Sequence, residues 1–397
     1  MMRPAQSSGI SIMNVLTAAA IGYFAWGEHT MALGLAVAIA YMWAQAPTRT
    51  QAGLIAFAYY LAVARGLPKG IAVFFGTQAS MLSGVMFWAL ASALLAIPWT
   101  VFWSMGGNGY AWRLTTILAI VSLPPVGIIG WGNPLTAAGA LFPHAGWLGL
   151  FATYALMLLL CHMARLRPVR GALCVCVVQT LLLFYGSSQN APENDASVKG
   201  VDTELPGSGY GQYSGVQSYF NNLQLIALAR EESVSTVLLP ESVAGLWLDA
   251  TASLWQSRKI RPERVFLGAT EVLPDDRYNN VIVAVATDRS SIVYRQRMPV
   301  PIGMWHPWRP AGAVADWRRP GGFSLDGDGT RYGVLVCYEQ LLLWPVLQTY
   351  AERPALILAP ANAWWSQETS IPEIQKTVLR AWARLFDVPT VTAFNYF

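Results

Sequence analysis

The chain has 397 residues, 54% hydrophobic and only 12% charged, with a mean hydropathy of +0.38; it is too apolar for an ordinary soluble domain, and a disordered or highly charged class is excluded. A net charge of +4, with no basic arm or reading helix, argues against a nucleic-acid partner. Of the four cysteines only Cys337 lies in the second half, so no intradomain disulfide is possible there.

The averages conceal two unlike halves. From Ser11 to about Phe184 charges are few and apolar runs are long, whereas from about Gly186 onward Asp, Glu, Arg and turn residues return. This predicts a polytopic helical membrane domain over 1–187, a linker and flexible loop over 188–217, and an α/β domain over 218–397. About seven candidate spans lie near 10–27, 30–46, 51–65, 78–103, 113–131, 146–164 and 170–186, each close to the roughly 20 apolar residues that cross a bilayer. Pro98 and Pro124-Pro125 predict kinks. Arg3, Arg49, Arg113 and the cluster Arg165, Arg167, Arg170 fall in alternate loops, which places those loops in the cytoplasm and the second half in the periplasm; Arg65 and Lys69 run against the scheme. The first apolar segment runs into the next without a processing site, so no cleavable signal is expected.

The polar stretch Gly186–Ser197 cannot build a core, and the glycine-rich Pro206–Gly215 lacks the spacing of a dinucleotide fingerprint and reads as a flexible loop. Beyond it the pattern becomes regular. Helical spacing is expected over Ser218–Glu232, Ser253–Arg258 and Ile371–Leu385, and strands over Thr236–Leu239, Val281–Val285, Ser291–Tyr294, Val334–Val336, Ala355–Leu358 and Thr390–Ala393. Interleaved in this way, they read as an α/β layered domain.

Cys337 closes the apolar run Gly333–Val336 and is followed by Tyr338 and Glu339. Alone it reads as a small core residue. Glu241, in Pro240-Glu241-Ser242 beyond a predicted strand, reads either as a cap or as a group at a strand end, where layered domains open onto a shared crevice. A carboxylate that removes a thiol proton generates the thiolate that attacks a carbonyl. Trp305, Trp308, Arg309, Trp317, Arg318 and Arg319, with Trp364 and Trp365, read as core and loop packing or as a lid resting among lipid headgroups, where tryptophan is favoured and arginine pairs with phosphate. His29, His144, His162 and His306 show no ligand spacing, so neither a metal nor another cofactor is expected.

Leu-Leu-Pro-Glu241, Tyr294-Arg-Gln-Arg-Met-Pro-Val-Pro-Ile-Gly303, Val-Leu-Val-Cys337-Tyr-Glu339 and Asn362-Ala-Trp-Trp365 resemble the successive motifs of the nitrilase (carbon–nitrogen hydrolase) superfamily. With membrane spans in front, the layout is similar to apolipoprotein N-acyltransferase, whose Cys-Tyr-Glu signature is matched, and more specifically to a family of plasmid conjugal transfer proteins. The resemblance implies an α-β-β-α sandwich with a Glu-Lys-Cys set: Glu241 as general base, Cys337 as nucleophile, Glu339 as a supporting carboxylate, and backbone donors near Tyr338 for the oxyanion. The third member is altered. Counting back from Pro301-Ile302-Gly303, the lysine position holds Gln296, and Met304 stands where the acyltransferase has a glutamate. Strand alternation would put Tyr294 and Gln296 on one face and Arg295 and Arg297 on the other. The implied activity is Cys-dependent acyl transfer, or amide or ester hydrolysis, through a thioester. Its setting would be the bacterial inner membrane, with membrane lipid and a protein of the conjugation apparatus as partners. The alternative is an inactive scaffold of that apparatus that binds lipid or peptide. The chain stops at Asn395-Tyr-Phe397, about where the relatives continue, so a sandwich lacking its last strands is also expected.

Overall fold

A computed structural model describes residues 11–76, 80–105, 109–166, 168–186, 191–192, 197–206, 215–258, 260–325 and 329–396. Arg3, Arg167, most of the polar linker and the glycine-rich loop lie outside the described residues. The chain divides into two units: a helical one, Met1–Pro192 joined by Leu341–Trp344 and Thr369–Asp387, and an α/β one made of the remainder.

The α/β unit contains two sheets. The first holds β1 (Val198–Gly200), β2 (Thr236–Leu238), β3 (Arg264–Leu273), β4 (Arg277–Ala286) and β5 (Ser290–Arg295) in that order, with β6 (Gly312–Ala313) also paired to β4. The second contains β7 (Gly322–Ser324), β8 (Arg331–Val334), β9 (Leu356–Asn362) and β10 (Thr390–Asn395), in the order β10-β9-β8-β7. Period-two alternation builds the layers. On β3 and β4, Phe266, Ile282 and Ala284 enter the core between the sheets with Phe323, Tyr332, Val334 and Leu358. Their neighbours Val265, Leu267, Val281, Val283 and Val285 face the other way, against Leu225, Ile226 and Ala229 of helix Gly215–Glu231 and Trp255 of helix Asp249–Ser257.

Three features depart from the sequence reading. β1 falls within the stretch read as linker, where its parallel pairing to β2 extends the sheet. β3 was not expected, because Gly268 and the charged ends interrupt its apolar run; it pairs antiparallel with β4 along its whole length. β8 ends at Val334, so Cys337 opens a 3-10 turn, Cys337–Leu341, rather than ending a strand.

In the helical unit, helices cover Ile12–Ala25, Arg49–Val63, Leu67–Phe75, Met81–Val101, Tyr110–Ser122, Gly146–Leu166 and Pro168–Gly186. The expected span over 113–131 is interrupted, because the helix stops at Ser122 before Pro124-Pro125, as the missing amide and restricted backbone of proline require. Likewise 30–46 divides into a 3-10 segment, Thr30–Val37, and a short helix, Ala38–Gln45. Pro98 sits inside Met81–Val101 without ending it. Among the described residues two helices are long and apolar enough to cross a membrane, Met81–Val101 and Gly146–Arg165. The helix Ile371–Phe386 joins β9 to β10 in the chain but clusters with the helical unit. Gly139 explains how closely it approaches there: a Cβ would stand 1.8 Å from the carbonyl oxygen of Ala381.

Candidate active site

β2 carries the chain to Glu241, which is 5% exposed. Gly268 on β3 makes this placement possible, since a Cβ there would stand 2.1 Å from the Pro240 carbonyl oxygen and 2.6 Å from the Glu241 Cα. Asn280 Nδ2 donates to Glu241 Oε1 at 2.7 Å, the Asn362 amide donates to Oε2 at 3.1 Å, and Asn362 Nδ2 donates to the Glu241 carbonyl at 3.2 Å. The side chain also hydrogen-bonds Cys337. Burial pushes the carboxyl up to about 7, outweighing the opposing effect of the hydrogen bonds from Cys337, Asn362 and Asn280.

Cys337 is buried and has φ +46°, a left-handed conformation that a residue with a Cβ adopts only when its surroundings impose it. The preceding peptide is clamped on both sides. Val336 N donates to Glu339 Oε2 at 2.9 Å, while the Val336 carbonyl accepts from Glu339 N at 3.0 Å and from Gln296 Nε2 at 3.2 Å.

Gln296, to which the resemblance assigns the lysine position, offers only an amide and reaches Glu241 through Asn280. Asn280 Nδ2 links the two, donating to Gln296 Oε1 at 3.0 Å as well as to Glu241, and Gln296 N donates to the Asn280 carbonyl at 2.8 Å. Ser242 Oγ donates to Asn280 Oδ1 at 3.2 Å. Asn280 thus connects Glu241, Gln296 and Ser242, a role the sequence reading missed. The available signal was Asn279-Asn280 within an otherwise apolar strand, because a buried amide there must find partners.

Glu339 is fully buried and differently surrounded. Oε1 accepts from Arg297 N at 2.7 Å and Met298 N at 3.1 Å, and Oε2 accepts from the Tyr294 hydroxyl at 3.0 Å. Arg297, also fully buried, brings Nε within 3.4 Å of Oε1, while Nη2 donates to Thr349 Oγ1 at 2.8 Å and to the Val334 carbonyl at 3.2 Å. The expected alternation therefore fails at Arg297. β5 ends at Arg295, Gln296 N still donates to the Asn280 carbonyl, and the chain then turns the amides of Arg297 and Met298 onto Glu339, so Arg297 joins Tyr294 rather than Arg295. Arg295 does face outward, holding Glu271 through Nε and Nη2 at 2.7 and 2.6 Å.

The tryptophan–arginine segment has a pinned base and an exposed tip. Asp316 N donates to the Arg297 carbonyl at 2.9 Å, Arg319 Nη1 to the Gln296 carbonyl at 3.3 Å, and Gln348 Nε2 to the Trp317 carbonyl at 2.7 Å. Trp308 at the tip is 65% exposed and Arg309 is exposed, while Trp305, Trp364 and Trp365 are half-buried. Tyr338 is buried, and burial raises its hydroxyl above the ordinary tyrosine range, so the ring stays neutral.

A family profile described as carbon–nitrogen hydrolase matches residues 265–384. That segment contains Gln296, Cys337 and Glu339 but begins after Glu241, so the place of Glu241 rests on the geometry above. The chain is 33% identical over 401 residues to the conjugal transfer protein TraB of Agrobacterium fabrum (strain C58 / ATCC 33970), covering 96% of this chain and 92% of that one. It is 34% identical over 379 residues to the probable conjugal transfer protein TraB of Sinorhizobium fredii (strain NBRC 101917 / NGR234), covering 94% of this chain and 95% of that one. Among solved structures, an amidase from Nesterenkonia sp. is 16% identical with a TM-score of 0.36, covering 52% of this chain and 80% of that one.

Proposed function

The chain belongs to the TraB family of conjugal transfer proteins and carries a carbon–nitrogen hydrolase domain, and from that premise we propose that it performs Cys337-dependent acyl transfer or amide or ester hydrolysis during plasmid transfer. The observation that carries this reading is the hydrogen bond between Glu241 and Cys337 in a buried setting that holds the carboxyl at about 7. A base whose affinity for protons lies near ambient pH both takes and returns one efficiently.

In the proposed cycle ionised Glu241 takes the proton of the Cys337 thiol, and the sulfur forms a bond to an ester or amide carbonyl carbon. The tetrahedral intermediate collapses, and the departing alcohol or amine receives the proton from Glu241, leaving a thioester on Cys337. An amine or water then attacks that carbon while Glu241 accepts its proton. The carbon–sulfur bond breaks, and Cys337 leaves as the thiolate, which takes the proton back from Glu241 to restore the starting state. Backbone donors near Tyr338 and the second amide hydrogen of Gln296 hold the oxyanion. Glutamine supplies no charge, and loss of a strong oxyanion donor typically costs about 3–4 kcal/mol of transition-state stabilisation. A slow enzyme is therefore expected.

The same glutamine favours a second reading. With Oε1 and Nε2 joined to Asn280 and the Val336 carbonyl, Gln296 fits equally a catalytically silent cleft that binds lipid or peptide as part of the mating apparatus. Trapping separates the two. Intact wild-type protein and Cys337→Ala are incubated with membrane extract, and a hydroxylamine-sensitive acyl adduct is sought by mass spectrometry alongside plasmid transfer frequency. An adduct confined to wild type supports the enzyme; no adduct, with full transfer by a stably expressed Cys337→Ala, supports the scaffold.

The helical unit is proposed to lie in the bacterial inner membrane. Only 28% of the apolar window in Met81–Val101 and 33% of that in Gly146–Arg165 is buried, so their outward faces, including Leu82, Leu90, Ile97, Leu148 and Phe151, suit lipid. Arg165 marks the proposed cytoplasmic end of its helix, and with Pro168–Gly186 proposed to cross back, the α/β unit is proposed to lie in the periplasm. Trp308 and Arg309, with Trp305, Trp364 and Trp365, are proposed to form a rim toward a lipid donor, and a protein of the conjugation apparatus is the proposed acceptor.

A further inference from the structure

Arg384 lies in the last turn of helix Ile371–Phe386, inside the helical unit, and is 4% exposed. Its Nη1 meets only the sulfur of Met31, at 2.8 Å, and a thioether is a weak acceptor. Nε and Nη2 are both buried without a hydrogen-bond partner, and among the described residues no carboxylate pairs with them. A guanidinium does not shed its proton as a buried lysine does, so an uncompensated one is strongly unfavourable. Nε and Nη2 also form one edge of the guanidinium. It is the edge with which Arg295 grips both oxygens of Glu271 in this same chain, and it matches two oxygens of a carboxylate or phosphate.

The surroundings narrow the choice of anion. The Arg384 carbonyl accepts from His144 N at 2.7 Å, two residues before helix Gly146–Leu166 begins, so Arg384 sits beside one end of a helix able to cross a membrane. His144 itself faces Asp387, with Nδ1 and Oδ1 2.9 Å apart. Trp147, half exposed and packed edge-on against Phe386 with ring centroids 5.1 Å apart, starts that helix; Leu148 and Phe151 follow it, 77% and 67% exposed. An interfacial tryptophan followed by outward apolar residues is the arrangement of a helix entering the hydrocarbon layer from the headgroup region.

We propose that Arg384 is a phosphate-binding site, holding two oxygens of one phosphate group through Nε and Nη2. The group is supplied by a phospholipid headgroup whose chains run along Leu148 and Phe151. The phosphate site follows from Arg384 alone; its lipid source rests on the membrane reading proposed above.

Thermal unfolding of the full chain, purified in lipid-free detergent, tests both parts. Phosphatidylglycerol, diacylglycerol and inorganic phosphate are titrated against wild type, Arg384→Met and Arg384→Lys. A saturable rise in Tm of about 5 °C is expected for wild type with phosphatidylglycerol, because a ligand bound only by the native state stabilises it by mass action. Diacylglycerol, which lacks the phosphate, should leave Tm unchanged. Arg384→Met should lose the response and unfold no lower than wild type without lipid; should it fail to fold, Arg384→Lys, which keeps the charge but not the fork, should show less than half the rise. Protection by inorganic phosphate but not by phosphatidylglycerol, dependent on Arg384, would keep the site and count against the membrane reading. No protection of wild type by either phosphate compound, equal protection of wild type and variants, or equal protection by diacylglycerol would overturn the proposal.

Discussion

The α/β unit buries two carboxylates, Glu241 and Glu339, and surrounds them in opposite ways. Glu339 receives three backbone amides, a tyrosine hydroxyl and the guanidinium of Arg297, so its charge is matched and its geometry rigid. Glu241 receives two amide donors and a thiol, with no cation beside it among the described residues, and burial raises its carboxyl to about 7. A matched buried charge serves as structure; an unmatched one remains able to exchange a proton. The contrast marks Glu339 as the clamp on the Val336–Cys337 turn and supports the acid–base role proposed for Glu241.

The largest effect that could break this contrast concerns the clamp. Arg297→Met leaves Glu339 buried and unpaired, which costs about 3–5 kcal/mol; the expected result is a marked drop in Tm, and an unchanged Tm would remove Glu339 from its structural role. Next is Cys337, the proposed nucleophile. Cys337→Ser is expected to lower acyl-adduct formation by about a thousandfold, equal to about 4 kcal/mol, with little change in Tm, as measured by intact-protein mass spectrometry and thermal unfolding.

Glu241→Gln tests the other carboxylate through pH. Between 4.5 and about 7 the native state keeps a proton on Glu241 that the unfolded chain has already released. Native stability therefore falls as pH rises through that window, by about 3 kcal/mol in all. Activity has the opposite sign, because only the ionised carboxylate takes the thiol proton, and it should rise through the same range. The glutamine variant should lose about a hundredfold or more in activity and unfold at a higher temperature than wild type at pH 8. A variant as pH-sensitive as wild type would show that another group titrates.

The smallest expected effect sharpens the comparison by making the two sites alike. Gln296→Lys places a cation near Glu241 and should lower its pKa by about one to three units, moving the rising limb of the pH–rate profile toward acid. If that limb stays in place, Gln296 is not a direct substitute for the lysine.

Much of this site was legible in the chain itself, for reasons of local chemistry. Pro240-Glu241 after an apolar run, Cys337-Tyr338-Glu339 and the Gln296 segment mark their own positions, and the alternation of Val281, Ile282 and Val283 marks a strand buried on both faces. Asn280 was less legible, because its meaning depends on which two side chains its single amide group reaches across the sheet. The part played by Gly268 is not legible in the sequence, because its lack of a Cβ matters only once β3 lies against the Pro240–Glu241 turn.

By itself, then, the sequence determined the two kinds of chain, apolar helical and α/β, and marked Cys337, Glu241 and Gln296 as candidate residues, since composition and motif are local properties. The tertiary structure decided how those groups are partnered. It gave Arg297 rather than Arg295 to Glu339, because β5 ends at Arg295 and the amides of Arg297 and Met298 turn inward. It assigned Ile371–Phe386 to the helical unit, because the close approach at Gly139 is a contact between residues far apart in sequence. Among the described residues it also left the Nε and Nη2 edge of Arg384 without a partner, which only the packing around that side chain makes visible.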